Sequence, residues 1–182
     1  RGIPLGKLED CVSNVNTGAK YNNSVFKQAI GMNGVGIKAT NALSSYFRAA
    51  SIREGKMAVV EYERGEKKSA KTGAAKPGVP NGTFLEFIPD TELFGKYEFN
   101  MEMVEKRLWN YAYLNPGLKL VCNGKEYISQ NGLEDLLVNE MGGKSKALYQ
   151  AFNYKGENLQ FVITHTASLD KFVYSFVNGQ ST

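Results

Sequence analysis

Three glycines crowd the entry to one apolar run: GMNGVGIKATNALS, residues 31–44, sets Gly31, Gly34 and Gly36 just before the stripe Val35, Ala39, Leu43 and Tyr46. The stripe has helical spacing, so the segment reads as a loop that turns into a helix. Glycine at such a corner permits positive φ and lets a ligand approach the main chain. The first turn of a helix also carries amides without intrahelical partners and the positive end of the dipole. Together these features suit an anion, most often a phosphate. The spacing is not G-x-G-x-x-G, and Lys38 is not placed as the lysine of a G-x-x-x-x-G-K-[ST] loop. On spacing alone, a tight turn with close helix packing remains the simpler account.

Composition narrows the classes available. The 182 residues are 42% hydrophobic and 22% charged, an ordinary globular balance. No apolar stretch approaches the ~20 residues of a membrane-spanning helix, and the opening RGIPLGKLED lacks the apolar core of a signal peptide. With no initiator Met and an end at SFVNGQST, inside a strand-like run, the chain reads as a piece of a longer protein. His165 is the only histidine, which leaves little from which to build a zinc site or a Ser-His-Asp triad. Cys11 and Cys122 fall in no metal-ligand spacing and read as reduced thiols. A net charge of +4 permits an anionic partner without requiring one.

Along the chain, Leu8, Cys11, Val12 and Val15 predict a short helix ending at Asn16-Thr17-Gly18. Residues 17–36, rich in Gly, Asn and Lys, read as an exposed loop. Phe47–Ile52 and Met57–Tyr62 flank Arg53-Glu54-Gly55-Lys56 as an antiparallel hairpin. Residues 64–82 read as a long flexible connection, and Thr83–Ile88 as a third strand. Asn100 caps a predicted helix over 101–114, with Met103, Val104, Leu108, Tyr111 and Ala112 on its buried side. Asn123-Gly124 between Leu118–Cys122 and Glu126–Ile128 is a strong hairpin signal. A helix over 133–141 follows. Beyond Gly142-Gly143-Lys144-Ser145-Lys146, three short strands are expected at 149–154, 159–164 and 172–177.

Taken in order, RGIP (1–4), NTGAKY (16–21), GMNGVGIKATNALS (31–44), GTFLEFIPD (82–90), WNYAYLNPGL (109–118), NGLEDLL (131–137) and YSFVNGQST (174–182) resemble the ATPase region of the B subunits of type IIA DNA topoisomerases, that is, DNA gyrase and bacterial topoisomerase IV. Asn33, NTGAKY and NALSSYF lean toward the topoisomerase IV protein. The resemblance implies an α+β fold: the two-layer α/β sandwich of the ATPase superfamily shared by gyrase, heat-shock chaperones, histidine kinases and mismatch-repair proteins, truncated at its N-terminus. Residues 1–143 would be the ATP-binding domain, with a lid at about 16–36, and 147–182 the first strands of a transducer domain.

The same resemblance assigns roles. Arg1-Gly2 would end a D-x-G-x-G motif whose aspartate lies upstream of Arg1. Gly2, Ile3 and Pro4 would line the adenine pocket, with Thr83 reaching the base through water. Amides of Met32, Asn33, Gly34, Val35 and Gly36 would cradle the phosphates, with Lys20 and Lys27 on the lid. Arg1 and Arg53 would stand at the pocket mouth, Arg53 matching an arginine associated with aminocoumarin antibiotics. Phe26 stands where gyrase usually has a nucleotide-contacting tyrosine, and Asn33 replaces the usual histidine. The general-base glutamate and the asparagine that holds magnesium would lie upstream, and the γ-phosphate lysine beyond Thr182, so this segment would carry no catalytic residue and no metal ligand. The resemblance further implies ATP and Mg2+ as cofactors, and duplex DNA and the topoisomerase A subunit as partners. ATP-driven dimerisation and a cytoplasmic bacterial location go with these.

Two other readings stand beside it. One is another ATPase of the same superfamily, opposed by the long 64–82 connection and by YSFVNGQST. The other is a non-enzymatic DNA-binding module using Arg64, Lys67, Lys68, Lys71 and Lys76 as phosphate contacts, against which a solvated hairpin tip is the plainer account. Trp109 and Tyr111 to Tyr113 read as helix core, Glu134 and Asp135 as first-turn helix charges, and His165 as a surface or packing residue.

Overall fold

The computed structural model describes residues 2–17, 34–142, 146–168 and 171–182. The chain forms two compact units, Arg1–Glu98 and Phe99–Thr182.

In the first unit a single 3-10 turn, Leu5–Lys7, leads into helix α1, Leu8–Ser13. Helix α2, Gly36–Ala42, precedes four strands: β1 Ser44–Arg53, β2 Lys56–Glu63, β3 Glu66–Ala74 and β4 Gly82–Pro89, with a short α3 at Thr91–Phe94. The strands form one antiparallel sheet in the order β3-β2-β1-β4. Because side chains alternate across a strand, Phe47 and Ala49 of β1 share a face with Ala58, Val60 and Tyr62 of β2. Leu8 and Val12 of α1 pack onto that face, and all seven side chains are buried. The rings of Phe47 and Tyr62 meet edge to face at 6.2 Å, a favoured aromatic geometry. The predicted hairpin turn is present: Glu54 and Gly55 both take positive φ, 52° and 73°, as a two-residue turn between twisted strands requires.

Three expectations for this unit change. Residues 66–74 are not a flexible connection but strand β3, paired to β2 from Glu63↔Glu66 to Lys56↔Ala74. An edge strand needs no buried face, and lysines guard its open side, so no hydrophobic period marks it. The stripe assigned to α2 is also wrong. Val35, Ala39 and Leu43 are exposed, Tyr46 already belongs to β1, and the helix turns Lys38 and Asn41 inward, with Ile37 half-buried against the core. Finally, α1 ends at Ser13, so Val15 lies beyond it and is exposed.

The second unit contains α4 Met101–Leu114, the hairpin β5 Leu120–Cys122 and β6 Lys125–Tyr127, α5 Leu133–Met141, the pair β7 Phe152–Lys155 and β8 Gln160–Ile163, and a last hairpin, β9 Phe176–Val177 with β10 Gln180–Ser181. Asn100 Oδ1 accepts the Met103 amide at 3.1 Å, the expected cap. Asn123 and Gly124, at φ 50° and 80°, make the expected tight turn. The buried side of α4 is rotated from the expected one. Ala112 is buried and Val104 and Leu108 half-buried as expected, but Met103 and Tyr111 are exposed and Tyr113 is buried in their place. Trp109 explains the rotation, stacking on Tyr113 and meeting Tyr127 edge-on, both at 5.4 Å. The strand expected over 172–177 is reduced to Phe176–Val177, because its partner lies just across Asn178-Gly179.

Candidate functional site

The first unit brings together two chain segments eighty residues apart. The Ile3 amide donates to Thr83 Oγ1 at 3.3 Å, and the Ile3 carbonyl accepts from the hydroxyl of Ser51. Ser51 and Thr83 are register partners on β1 and β4 and share one face of the sheet. Gly2 presses against the same strand ends at φ +92°; a Cβ there would lie 2.8 Å from the Ile52 carbonyl oxygen, 3.0 Å from that of Gly82 and 3.1 Å from Arg53 Cγ. Only glycine fits this approach. The Glu54 amide donates to Asn81 Oδ1 at 2.8 Å, fastening the β1–β2 turn to the chain that enters β4. Gly2, Ile3, Thr83 and Arg53 thus converge, and Pro4 is exposed beside them. Ser51, fully buried, is the organising residue that sequence reading missed. Its signal was available: a polar side chain continuing the inward alternation 47, 49, 51.

The glycine corner is the second element. Gly34 has φ +57°, and a Cβ on it would collide with the Thr17 carbonyl oxygen at 2.7 Å. Gly36 opens α2 with open space around its Cβ position. No side chain among the described residues caps the helix; its first main-chain closure is the Ala39 amide on the Val35 carbonyl at 2.9 Å. The amides of Gly36, Ile37 and Lys38 therefore lack intrahelical acceptors, and Val35 is about half exposed rather than sealed in the core. A main-chain corner whose first amides have no intrahelical acceptor, and no capping side chain among the described residues, fits an anionic group.

What orients this corner is polar. The buried Lys38 ammonium donates to the Thr17 carbonyl at 3.1 Å, and the buried Asn41 amide to the Val12 carbonyl at 3.0 Å. Both side chains tie α2 to the C-terminal end of α1 and the residues that follow it. Sequence reading missed both, because a lysine on an inward helix face looks like a solvated one. Arg1, Lys20, Lys27, Met32 and Asn33, with most of the segment 16–36, lie outside the described residues.

Part of the basic stretch is paired with acids, while Lys71 and Lys76 are exposed. Arg64 pairs with Asp90 at 2.6 Å and Glu92 at 2.7 Å, Lys67 with Glu9 at 2.7 Å, and Lys68 with Glu66 at 3.3 Å. The Glu92 amide and the Arg64 guanidinium hold the Asp90 carboxyl below the usual carboxylate range. In the second unit Asp135 does what a first-turn acid of α5 should. It accepts from Ser129 Oγ at 2.7 Å and from the amides of Asn131 and Gln130, which keep it well ionised. Glu134 bonds Asn153 instead, and His165 pairs with the Tyr149 hydroxyl on the surface. Among the described residues no group of three His, Cys, Asp or Glu side chains is arranged to hold a metal ion, and no helix is long and apolar enough to cross a membrane.

Comparison with known proteins supplies the class. The fold matches the 43K ATPase domain of Thermus thermophilus gyrase B, solved in complex with an aminocoumarin, with a TM-score of 0.75 over 100% of this chain and 50% of that one at 24% identity. It matches the ATPase region of Saccharomyces cerevisiae topoisomerase II, bound to ICRF-187, with a TM-score of 0.76 at 21% identity, over 100% of this chain and 51% of that one. The fold is therefore that of the ATPase regions of type II topoisomerases. Sequence narrows the likeness further, to the B subunits of DNA topoisomerase 4 and DNA gyrase. The chain is 42% identical to the B subunit of DNA topoisomerase 4 from Borreliella burgdorferi, over 100% of its own length and 30% of that protein. It is 31% identical to the B subunit of DNA gyrase from Archaeoglobus fulgidus, again over its whole length and 32% of that protein. No protein-family model matches the chain. It spans about a third of the curated relatives it matches.

Proposed function

We propose that this chain is the nucleotide-gripping part of a type II topoisomerase B subunit, of the topoisomerase IV kind, whose parent protein hydrolyses ATP to drive the passage of one DNA duplex through another. The observation that carries this reading is that the 42% match to a topoisomerase IV relative runs through every residue. The RGIP segment, the glycine corner and the Thr83 strand all fall inside it. Residues 1–143 are then the later part of an ATP-binding domain and 147–182 the start of a transducer; that functional boundary lies inside the second compact unit.

In this reading the adenine lies over Gly2, Ile3 and Pro4. Thr83 serves twice: its oxygen accepts the Ile3 amide, and its hydrogen is left to donate toward the base through a water. Gly34, Val35 and Gly36 present main-chain amides to the phosphates, joined by Met32 and Asn33, with Lys20 and Lys27 adding charge from the segment between. Fixed dipoles of this kind stabilise charge as it develops on a transferring phosphoryl group. Arg53, against Gly2 at the end of β1, borders the mouth with Arg1. Magnesium, when bound, neutralises charge on the phosphate oxygens; its ligand, the general-base glutamate and the γ-phosphate lysine belong to parts of the parent chain outside residues 1–182. Duplex DNA, the topoisomerase A subunit and a second copy of the parent chain are the partners, and the cytoplasm is the compartment. Pairing of Arg64, Lys67 and Lys68 with acids counts against a free-standing DNA-binding module.

Nucleotide binding by the full-length parent tests this. Wild type should bind ATP, and Gly34→Ala, which drives a Cβ into the Thr17 carbonyl, should weaken binding at least tenfold, as a few kcal/mol of backbone strain implies. The isolated 182-residue chain should not turn over ATP. A parent chain that ignores ATP would overturn the assignment.

A further inference from the structure

Lys38 is the least expected buried residue of the first unit. Its side chain enters the space between α2 and the end of α1 with 8% of the residue exposed. Among the described residues its ammonium has one hydrogen-bond acceptor, the Thr17 carbonyl at 3.1 Å, and no carboxylate partner. An ammonium has three donors, and burying it is unfavourable unless hydrogen bonds such as that to the Thr17 carbonyl offset the lost hydration. Methionine would fill the same volume without that cost. The charge therefore serves a purpose that filling space cannot.

Its position says what. The Thr17 oxygen that Lys38 holds is the atom that a Cβ on Gly34 would strike at 2.7 Å, and the same Cβ would lie 3.5 Å from the ammonium itself. Lys38, Thr17 and Gly34 form one knot. One turn further along, Asn41 ties Val12 in the same way, at 3.0 Å. With Ile37, which packs half-buried against the cluster that holds Leu8 and Val12, these two bonds fix how α2 meets α1, and so fix the direction in which the amides of Gly34, Val35 and Gly36 point. The ammonium faces inward, toward the α1 side, whereas Val35 and Gly36 face solvent. We propose that Lys38 is a positioning residue for the nucleotide site: through the Thr17 carbonyl it holds the glycine corner in its binding geometry without itself touching the phosphates. The inference rests on the nucleotide-binding reading above.

The test uses the full-length chain and the variants Lys38→Met, Lys38→Gln and Lys38→Arg, with ATP and ADP affinity, KM, kcat and melting midpoint as readouts. Lys38→Met should weaken ATP and ADP alike by about tenfold, the factor a lost hydrogen bond to a charged group carries. KM should rise in proportion and kcat stay within about twofold, as expected when uniform binding is lost. Lys38→Arg should recover most of the affinity. If Lys38→Met does not fold, Lys38→Gln, which keeps an N–H donor, carries the comparison. Unchanged affinity in a wild type that binds ATP would sink this proposal alone. Loss confined to ATP, with ADP spared, would overturn it in favour of direct contact with the terminal phosphate. Loss that only tracks a fall in melting midpoint, unrescued by arginine, would reduce Lys38 to a packing residue. A wild type that binds no nucleotide would remove the underlying reading instead.

Discussion

Arg64 Nε sits 2.6 Å from Oδ2 of Asp90, a carboxylate with almost no exposed surface whose Oδ1 accepts the Glu92 amide at 2.9 Å. Around this pair the Arg64 amide bonds the Ser44 carbonyl and the Asp90 amide bonds the Leu43 carbonyl, both within 3.0 Å. Gly65, at φ +80°, lies against Ala42. The β2–β3 turn, the end of β4 and the end of α2 are thereby locked at one point.

Asp90 makes the first unit sensitive to acid. Its carboxyl is held low by the Glu92 amide and then by Arg64. A carboxyl depressed in the folded state stabilises above its unfolded pKa, and that contribution is lost as pH falls through the folded value. Stability should therefore fall as pH drops below the ordinary carboxylate range, and Asp90→Asn should flatten that acid limb. At neutral pH, Asp90→Ala should lower the melting midpoint by about 5 °C. Circular dichroism melts across pH check both; an Asp90→Asn profile that overlays wild type would contradict the first.

Gly2→Ala tests the docked N-terminal segment. The new Cβ has no room between the Ile52 and Gly82 carbonyls, and alanine disfavours φ +92°. In the full-length chain, ATP affinity should fall at least tenfold while the sheet stays folded, since β1 and β4 pair independently of residue 2. Titration calorimetry beside a thermal melt reads the two effects apart.

Asp135 and Gly132 together set the start of α5. Gly132 has φ +64°, and a Cβ would lie 2.8 Å from Pro116 Cγ and 3.0 Å from the Tyr113 carbonyl oxygen. Gly132→Ala should destabilise the second unit by about 2–3 kcal/mol, and Asp135→Ala, which removes an acceptor shared by Ser129, Gln130 and Asn131, by about 1–2 kcal/mol. Hydrogen exchange of the α5 amides should report both losses and leave β1–β4 protection unaltered.

Leu8 provides a control for the core. It is 1% exposed and packs with Val12 onto the Phe47–Ala49 face. Leu8→Ala should cost about 2–5 kcal/mol in denaturant melts. A loss under about 1 kcal/mol would mean that α1 is not an integral part of this core.

The sequence by itself determined every element whose residues carry their own local signal. The α4 span and its Asn100 cap, the α5 span, and the Asn123-Gly124 and Glu54-Gly55 turns depend on caps, φ > 0 residues and periodicity within a few positions, and all could be read directly. The ordered motifs also pointed to the type IIA topoisomerases before any coordinates, because their order and spacing along essentially the whole chain are specific. Only the tertiary structure decided the rest. Strand β3 has no buried face and so no apolar rhythm; its existence depends on a partner strand. The inward turn of Lys38 and Asn41 depends on carbonyls of Val12 and Thr17, and the meeting of Ile3 with Thr83 on the register of β1 and β4. Main-chain acceptors and strand register leave no trace in residue spacing, so contacts made through them become visible only when the chain is folded.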